Sequence, residues 1–176
     1  GLGRTGRWWA GDHDGVVPDV LVTGKALAGG MPIGACVARS EVMASWGASR
    51  GEAIHTSTFL GHPVTAAAAL ATLDVMEALD VPAWARGFEG RVRQRFGARV
   101  RGRGAMLGIE AGSPGAAARI AGAMLREGYL VLPSGVDGDI VGLTPPAVLT
   151  LEQESAALAT LERHLGLAGT PMRSDG

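Results

Sequence analysis

A chain of 176 residues, 47% hydrophobic and 19% charged, has the composition of a soluble globular protein long enough to bury a sizeable core. The net charge of −1 gives no general attraction to nucleic acid or to an anionic membrane, and the single cysteine, Cys36, excludes an internal disulfide framework and a cysteine-based zinc site. No secretory leader pattern opens the chain, and its most apolar window, 64–79, is shorter than the ~20 residues of a membrane span, so a cytoplasmic protein is expected.

In chain order, "GLGRTG" at 1–6 matches the dinucleotide fingerprint letter by letter. It lacks the context, because no strand precedes it and "RWWAGDHDG" makes a poor helix; it reads as a loop. "DHD" at 12–14 reads as a solvated turn, and His55, His62 and His164 have no metal-ligand spacing, so no metal site is expected. Val20–Val22 suits a buried strand that ends at Gly24, and Gly34–Ala38 a second strand. Ser40 is placed to cap a short helix through Trp46. After a loop over 47–62, Pro63 opens a long helix that runs to Leu79. Trp84, Phe88, Val92 and Phe96, four apart, mark the apolar stripe of the next. Glycines among arginines over 97–104 suggest a junction between two domains. Beyond it, Ala105–Glu110 reads as a strand, Gly115–Glu127 as a helix closed by Gly128, and Tyr129–Leu132 and Asp139–Leu143 as strands. Thr150 and Gln153 form the capping box of a last helix to His164, and 168–176 reads as a frayed tail. Alternating strands and helices place the chain in the α/β class. Arginines 91, 93, 95, 99, 101 and 103 read as a solvated helix face and exit loop; no interleaved aromatics point to nucleic acid.

"DVLVTGKALAGGMPIGA" at 19–35 holds Lys25, the one lysine among 16 basic residues. A P-loop reading fails twice: Asp19 stands where the motif needs glycine, and Ala26 where it needs Ser or Thr. A surface lysine is the commonest fate of this residue type, but Val22, Thr23, Gly24, Ala26 and Leu27 suit a lysine at the end of a buried strand. Where a permanent cation suffices this chain uses arginine. A primary amine differs in being able to attack a carbonyl carbon, which points to a chemical role for Lys25.

"GLGRTGRWWAGDHDGVVPDVLVTGKALAGGMPIGA" resembles the signature of class III aminotransferases, the ornithine, acetylornithine and 4-aminobutyrate type of pyridoxal-phosphate enzyme. "HTSTFLGHP" at 55–63, "GAMLGIE" at 104–110, "YLVLPSG" at 129–135 and "GLTPP" at 142–146 continue the resemblance in register. It implies a fold type I transferase, with 1–97 as the end of the large cofactor domain, 98–167 as the small C-terminal domain and 168–176 as a tail. It implies that Lys25 carries pyridoxal 5'-phosphate as a Schiff base and shuttles the substrate proton. It also implies that Thr58, helped by Ser57, binds the cofactor phosphate across a homodimer interface. An amino donor and a keto-acid acceptor are the implied substrates. Another reaction on the same lysine (aminomutase, epimerase or decarboxylase) and a non-catalytic truncated module are the alternatives.

The sequence departs from the family pattern in two places. The aspartate that pairs with the cofactor ring nitrogen belongs to a motif of which only the last glycine, Gly1, is present, so the chain is expected to be the C-terminal part of a longer enzyme. Gly142 stands where many relatives carry a carboxylate-binding arginine, which leaves the amino donor open.

Overall fold

The computed structural model describes residues 1–52 and 55–167; the expected tail at 168–176 lies outside the described residues. The chain divides into two compact units, Gly1–Val81 and Pro82–Gly176. Residues 97–104, where the sequence suggests a junction, lie inside the second.

In the first unit, residues 1–18 form a looped segment. Gly3 N–H donates to Trp8 O and Gly6 N–H to Gly3 O, so "GLGRTG" is a run of turns, followed by the four-residue 3-10 turn Ala10–His13 and not by an α-helix. Strands β1 (Val20–Gly24) and β2 (Gly34–Ala38) pair antiparallel, Val20 opposite Ala38 and Gly24 opposite Gly34. A 3-10 turn, Lys25–Ala28, joins them through Gly29 and Gly30. Helix α1 (Ser40–Ala44) is shorter than expected. Arg39, in extended backbone, occupies the cap position; its guanidinium pairs with Asp19 and makes no cap bond to the helix, so Ser40 is the first helical residue. Helix α2 (Pro63–Ala78) begins with proline at its first position, where no N–H is needed, and the His62 ring accepts from Thr65 N–H. Its stripe of Thr65, Ala69, Leu73 and Met76 faces inward, and Leu2, Leu27, Ala28 and Ala69 make a small core.

The expectation of a buried strand at Val20–Val22 does not hold: Val22 is 76% exposed. Among the described residues β1 has one paired neighbour, β2, so the apolar run lies at the margin of a two-stranded ribbon.

The second unit holds all but the first residue of α3 (Val81–Phe96), followed by β3 (Val100–Arg103), β4 (Met106–Glu110), α4 (Ala116–Arg126), β5 (Leu132–Ser134), β6 (Ile140–Leu143) and α5 (Leu151–His164). Its sheet has the order β3-β4-β6-β5, antiparallel throughout. Alternation along β4 and β6 turns Leu107, Ile109, Val141 and Leu143 into a core completed by Phe88, Val92 and Phe96 of α3, Ile120 and Met124 of α4, and Leu158 and Leu161 of α5. The box on α5 forms as read, with Thr150 Oγ1 accepting from Gln153 N–H at 3.2 Å and Gln153 Oε1 from Thr150 N–H at 3.0 Å.

Two strands differ from expectation. β3 was hidden in the arginine-glycine stretch, because Val100 is its one buried residue. The expected strand at Tyr129–Leu132 instead runs over Leu132–Ser134, where pairing with Gly142, Val141 and Ile140 of β6 sets its register.

Arg91, Arg93, Arg95, Arg99 and Arg101 of the basic run all donate to protein groups. Arg91 makes a two-pronged bond to Glu154 (2.6 and 2.7 Å), Arg95 pairs with Glu162, and Arg101 with Glu110. Arg93 holds Glu89 and the carbonyls of Val100 and Gly102, Arg99 donates to Glu110 O, and Arg103 acts on Glu89 through its charge. The run is an ion-pair lattice that ties α3 to α5 and to the sheet. The Arg91 guanidinium is held above its usual range by its bond to Glu154.

Candidate functional site

Lys25 opens the 3-10 turn directly after β1. Its backbone is left-handed, φ 44°, a conformation that L-residues other than glycine rarely adopt. Such a residue costs on the order of 1–3 kcal/mol and persists only where its surroundings dictate it. Here both flanks do so. At Gly24 a Cβ would stand 2.8 Å from Ile33 O, so the position accepts no side chain without a backbone shift. At the far end Gly29 closes the turn at φ 59°, ψ 25°, and Gly30 follows at φ 112°. The lysine side chain is exposed rather than buried at a strand end, and it lines an open groove of about 1250 Å³ within the first unit. Arg4, Trp9, Asp12, Val22 and Ile33 are also on its walls. Burial lowers the pKa of Arg4 from its usual range.

The "DHD" segment is committed to structure, more firmly than the solvated turn read from sequence. The Asp12 carboxylate accepts from Trp9 N–H (2.9 Å), and His13 Nε2 lies 2.9 Å from Thr5 O. Among the described residues no group of three or more His, Cys, Asp or Glu is placed to hold a metal ion. No described helix is long and apolar enough to cross a membrane.

Ser57 and Thr58 lie in an exposed turn before α2, where Leu60 N–H donates to Ser57 O (3.1 Å) and His62 N–H to Phe59 O (3.2 Å). Neither is among the described residues lining the Lys25 groove, so the structure does not bring the three expected site residues together within the first unit. Gly142 lies in β6 between Gly108 of β4 and Leu132 of β5; a Cβ there would stand 3.2 Å from Leu132 O. Sequence reading missed Thr72, whose Oγ1 stands 3.0 Å from where a Gly29 Cβ would sit; no motif contains it, and only the packing of α2 on the turn reveals it.

The first unit of this mixed α/β chain thus presents one exposed lysine from a left-handed, glycine-flanked turn at the wall of a groove. The chain belongs to the class III aminotransferase family: the model of that family, "Aminotransferase class-III", matches residues 1–165. It is 41% identical over 165 residues to the acetylornithine aminotransferase of Corynebacterium efficiens, covering 92% of this chain and 39% of that protein. Among solved structures, an ornithine aminotransferase from Toxoplasma gondii, described with partial occupancy of PLP at its active site, superposes with a TM-score of 0.79 at 31% identity, covering 96% of this chain and 41% of that one. A phospholyase from Arthrobacter in complex with phosphoethanolamine superposes with a TM-score of 0.84 at 30% identity, covering 94% and 43%. The architecture is thus part of a fold type I transferase, and the chain spans about two fifths of the length of the curated relatives it matches.

Proposed function

We propose that the whole protein transfers an amino group from an amine or amino acid to a keto acid, with pyridoxal 5'-phosphate carried on Lys25. The observation that carries this reading is Lys25 itself, the chain's one lysine, held left-handed between glycines at a groove. The residues present fit the cofactor. Gly24 and Gly29 let the Lys25 turn close against Ile33 O and Thr72, Gly30 leaves open space beside it, and the exposed Ser57 and Thr58 offer hydroxyls for a phosphate. When bound, the cofactor supplies an electron sink for the carbon that bears the amine. Lys25 Nζ anchors it between turnovers. Once free, Nζ would take the proton from that carbon as a general base and, as a general acid, deliver it to the cofactor's C4′ carbon and not to the carbon it left, the net shift that amino transfer requires. Thr58, with Ser57, holds the phosphate of the partner subunit's cofactor in a homodimer, which accounts for their separation from the Lys25 groove within one chain. Residues 1–97 then belong to the cofactor-binding part and 98–167 to a small domain, with α3 counted as the interdomain helix although it packs in the second compact unit, and the enzyme works in the cytoplasm.

A second reading is favoured by Gly142. With no side chain there, a donor carboxylate is not held at that position, so an amine without a carboxylate, or another reaction at Lys25, also fits. The similarity to a structure that holds phosphoethanolamine points the same way. Product analysis on the full-length enzyme separates the two: amino transfer consumes one keto acid per amine, whereas elimination, racemisation, mutase or decarboxylase chemistry turns over without an acceptor.

A further inference from the structure

The turn that carries Lys25 rests on α2. Leu27 and Ala28, its second half, are 8% and 2% exposed and share a core with Leu2 and with Ala69 of α2. One helical turn beyond Ala68, the Thr72 hydroxyl donates to Ala68 O at 2.7 Å, which fixes its rotamer. That same Oγ1 stands 3.0 Å from the point a Cβ on Gly29 would occupy. The glycine that ends the turn and the threonine of the helix therefore meet at a distance that a side chain at 29 would violate. The opposite end of the turn is held by Gly24 against Ile33 O. Lys25 lies between these two close approaches with its own side chain exposed, so its backbone is restrained by its flanks and not by burial of the lysine stem.

We propose that Thr72, acting through Gly29, is a positioning residue for Lys25: the Ala68–Ala69–Thr72 face of α2 seats the turn and sets the direction in which Nζ is presented. This rests on the reading of Lys25 as the cofactor-bearing amine. The hydroxyl bond to Ala68 keeps Thr72 Oγ1 in place. The missing Cβ at 29 lets the turn close onto it, and the left-handed backbone at 25 follows from that closure. A small displacement at the Gly29 contact redirects Nζ without touching the groove.

The test uses the full-length protein, stripped of cofactor, and measures how fast pyridoxal phosphate is fixed to Lys25 under sodium borohydride across a pH series. Peptide mass spectrometry locates the label, and the melting temperature is recorded in parallel. Gly29→Ala is expected to slow labelling at least tenfold and to displace its pH profile, since misplacement of reacting atoms by about 1 Å can cost on the order of a hundredfold. Adding Thr72→Ala to that chain relieves the contact and is expected to restore labelling several-fold, a coupling that independent sites do not show. Thr72→Ser, which keeps the hydroxyl bond, is expected to retain the wild-type profile. Should Gly29→Ala fail to fold, Thr72→Leu crowds the same contact from the helix side and is expected to slow labelling likewise. The proposal is overturned if these variants lower the melting temperature while the rate and pH profile at Lys25 stay unchanged, or if the double variant shows no coupling. A wild-type protein that takes no label at Lys25 instead overturns the underlying reading of that lysine.

Discussion

In the unit Pro82–Gly176, apolar residues at helical and strand spacing meet one another. Phe88, Val92 and Phe96 from α3 close on Leu107 and Ile109 from β4 and on Leu158 and Leu161 from α5, and a lattice of arginine-carboxylate pairs rims them. In Gly1–Val81 residues of the same kind face outward. Val22 and Val37 stand on opposite strands of the ribbon, and Val64, Leu70 and Val75 on the outer side of α2, all exposed. The difference lies in patterning. Helix α4 turns Ile120 and Met124 inward and Arg119 and Arg126 outward, so one covering layer satisfies it. Helix α2 is apolar around its circumference, the pattern of a helix meant for burial on more than one side. Lys25 belongs to the unit with the smaller core, and the turn that carries it is flanked by close approaches at Gly24 and Gly29.

The largest effect that would sharpen this contrast is chemical. Lys25→Ala in the full-length enzyme is expected to lower turnover by roughly 10²–10⁴-fold, the scale of a lost general acid-base, with little change in melting temperature. Steady-state kinetics beside a thermal melt checks both halves. Ile109→Ala, at a fully buried site of the second unit, is expected to cost about 2–5 kcal/mol in a urea titration. Arg91→Met leaves the Glu154 carboxylate, 4% exposed, without its two-pronged partner. Because Arg91 itself is partly solvated, about 1–3 kcal/mol is expected, less than for a fully buried pair.

Acid titration comes next in size. Burial alone would raise the pKa of Glu89, but the Gly104 N–H at 2.6 Å and Arg93 outweigh it and hold the carboxyl below its usual range. Bonds from Arg163 and His164 hold Glu127 below its usual range as well. A carboxyl with a depressed folded pKa stabilises above its unfolded pKa, and that stability is lost as pH falls through the folded value. The melting temperature is therefore expected to fall on acidification below about pH 4, and Glu89→Gln to flatten that fall. Smallest of all, Val22→Thr is expected to change the stability of the present chain by no more than about 0.5 kcal/mol. A cost above 2 kcal/mol in the full-length protein would mean that the ribbon is covered there.

How much of this was legible beforehand follows the physics of each signal. Pro63 at a helix start, the Thr150–Gln153 box and the four-residue spacing of Phe88, Val92 and Phe96 are local, and each element formed where they place it. Strand β3 was not legible, because Val-Arg-Gly-Arg carries a single inward residue. The register of β5 comes from its pairing with β6 and not from its own apolar run. At the site, the identity of Lys25 could be argued from composition and motif. Its left-handed backbone and the Thr72 contact could not, since both arise only when α2 packs on the turn.

The central claim, that Lys25 is the amine that carries pyridoxal phosphate, is tested most directly by reducing the cofactor-loaded full-length enzyme with borohydride and mapping the label. A pyridoxyl group on Lys25, in the peptide that spans β1 and the following turn, is the predicted result. An unlabelled Lys25 with the cofactor fixed elsewhere would contradict it.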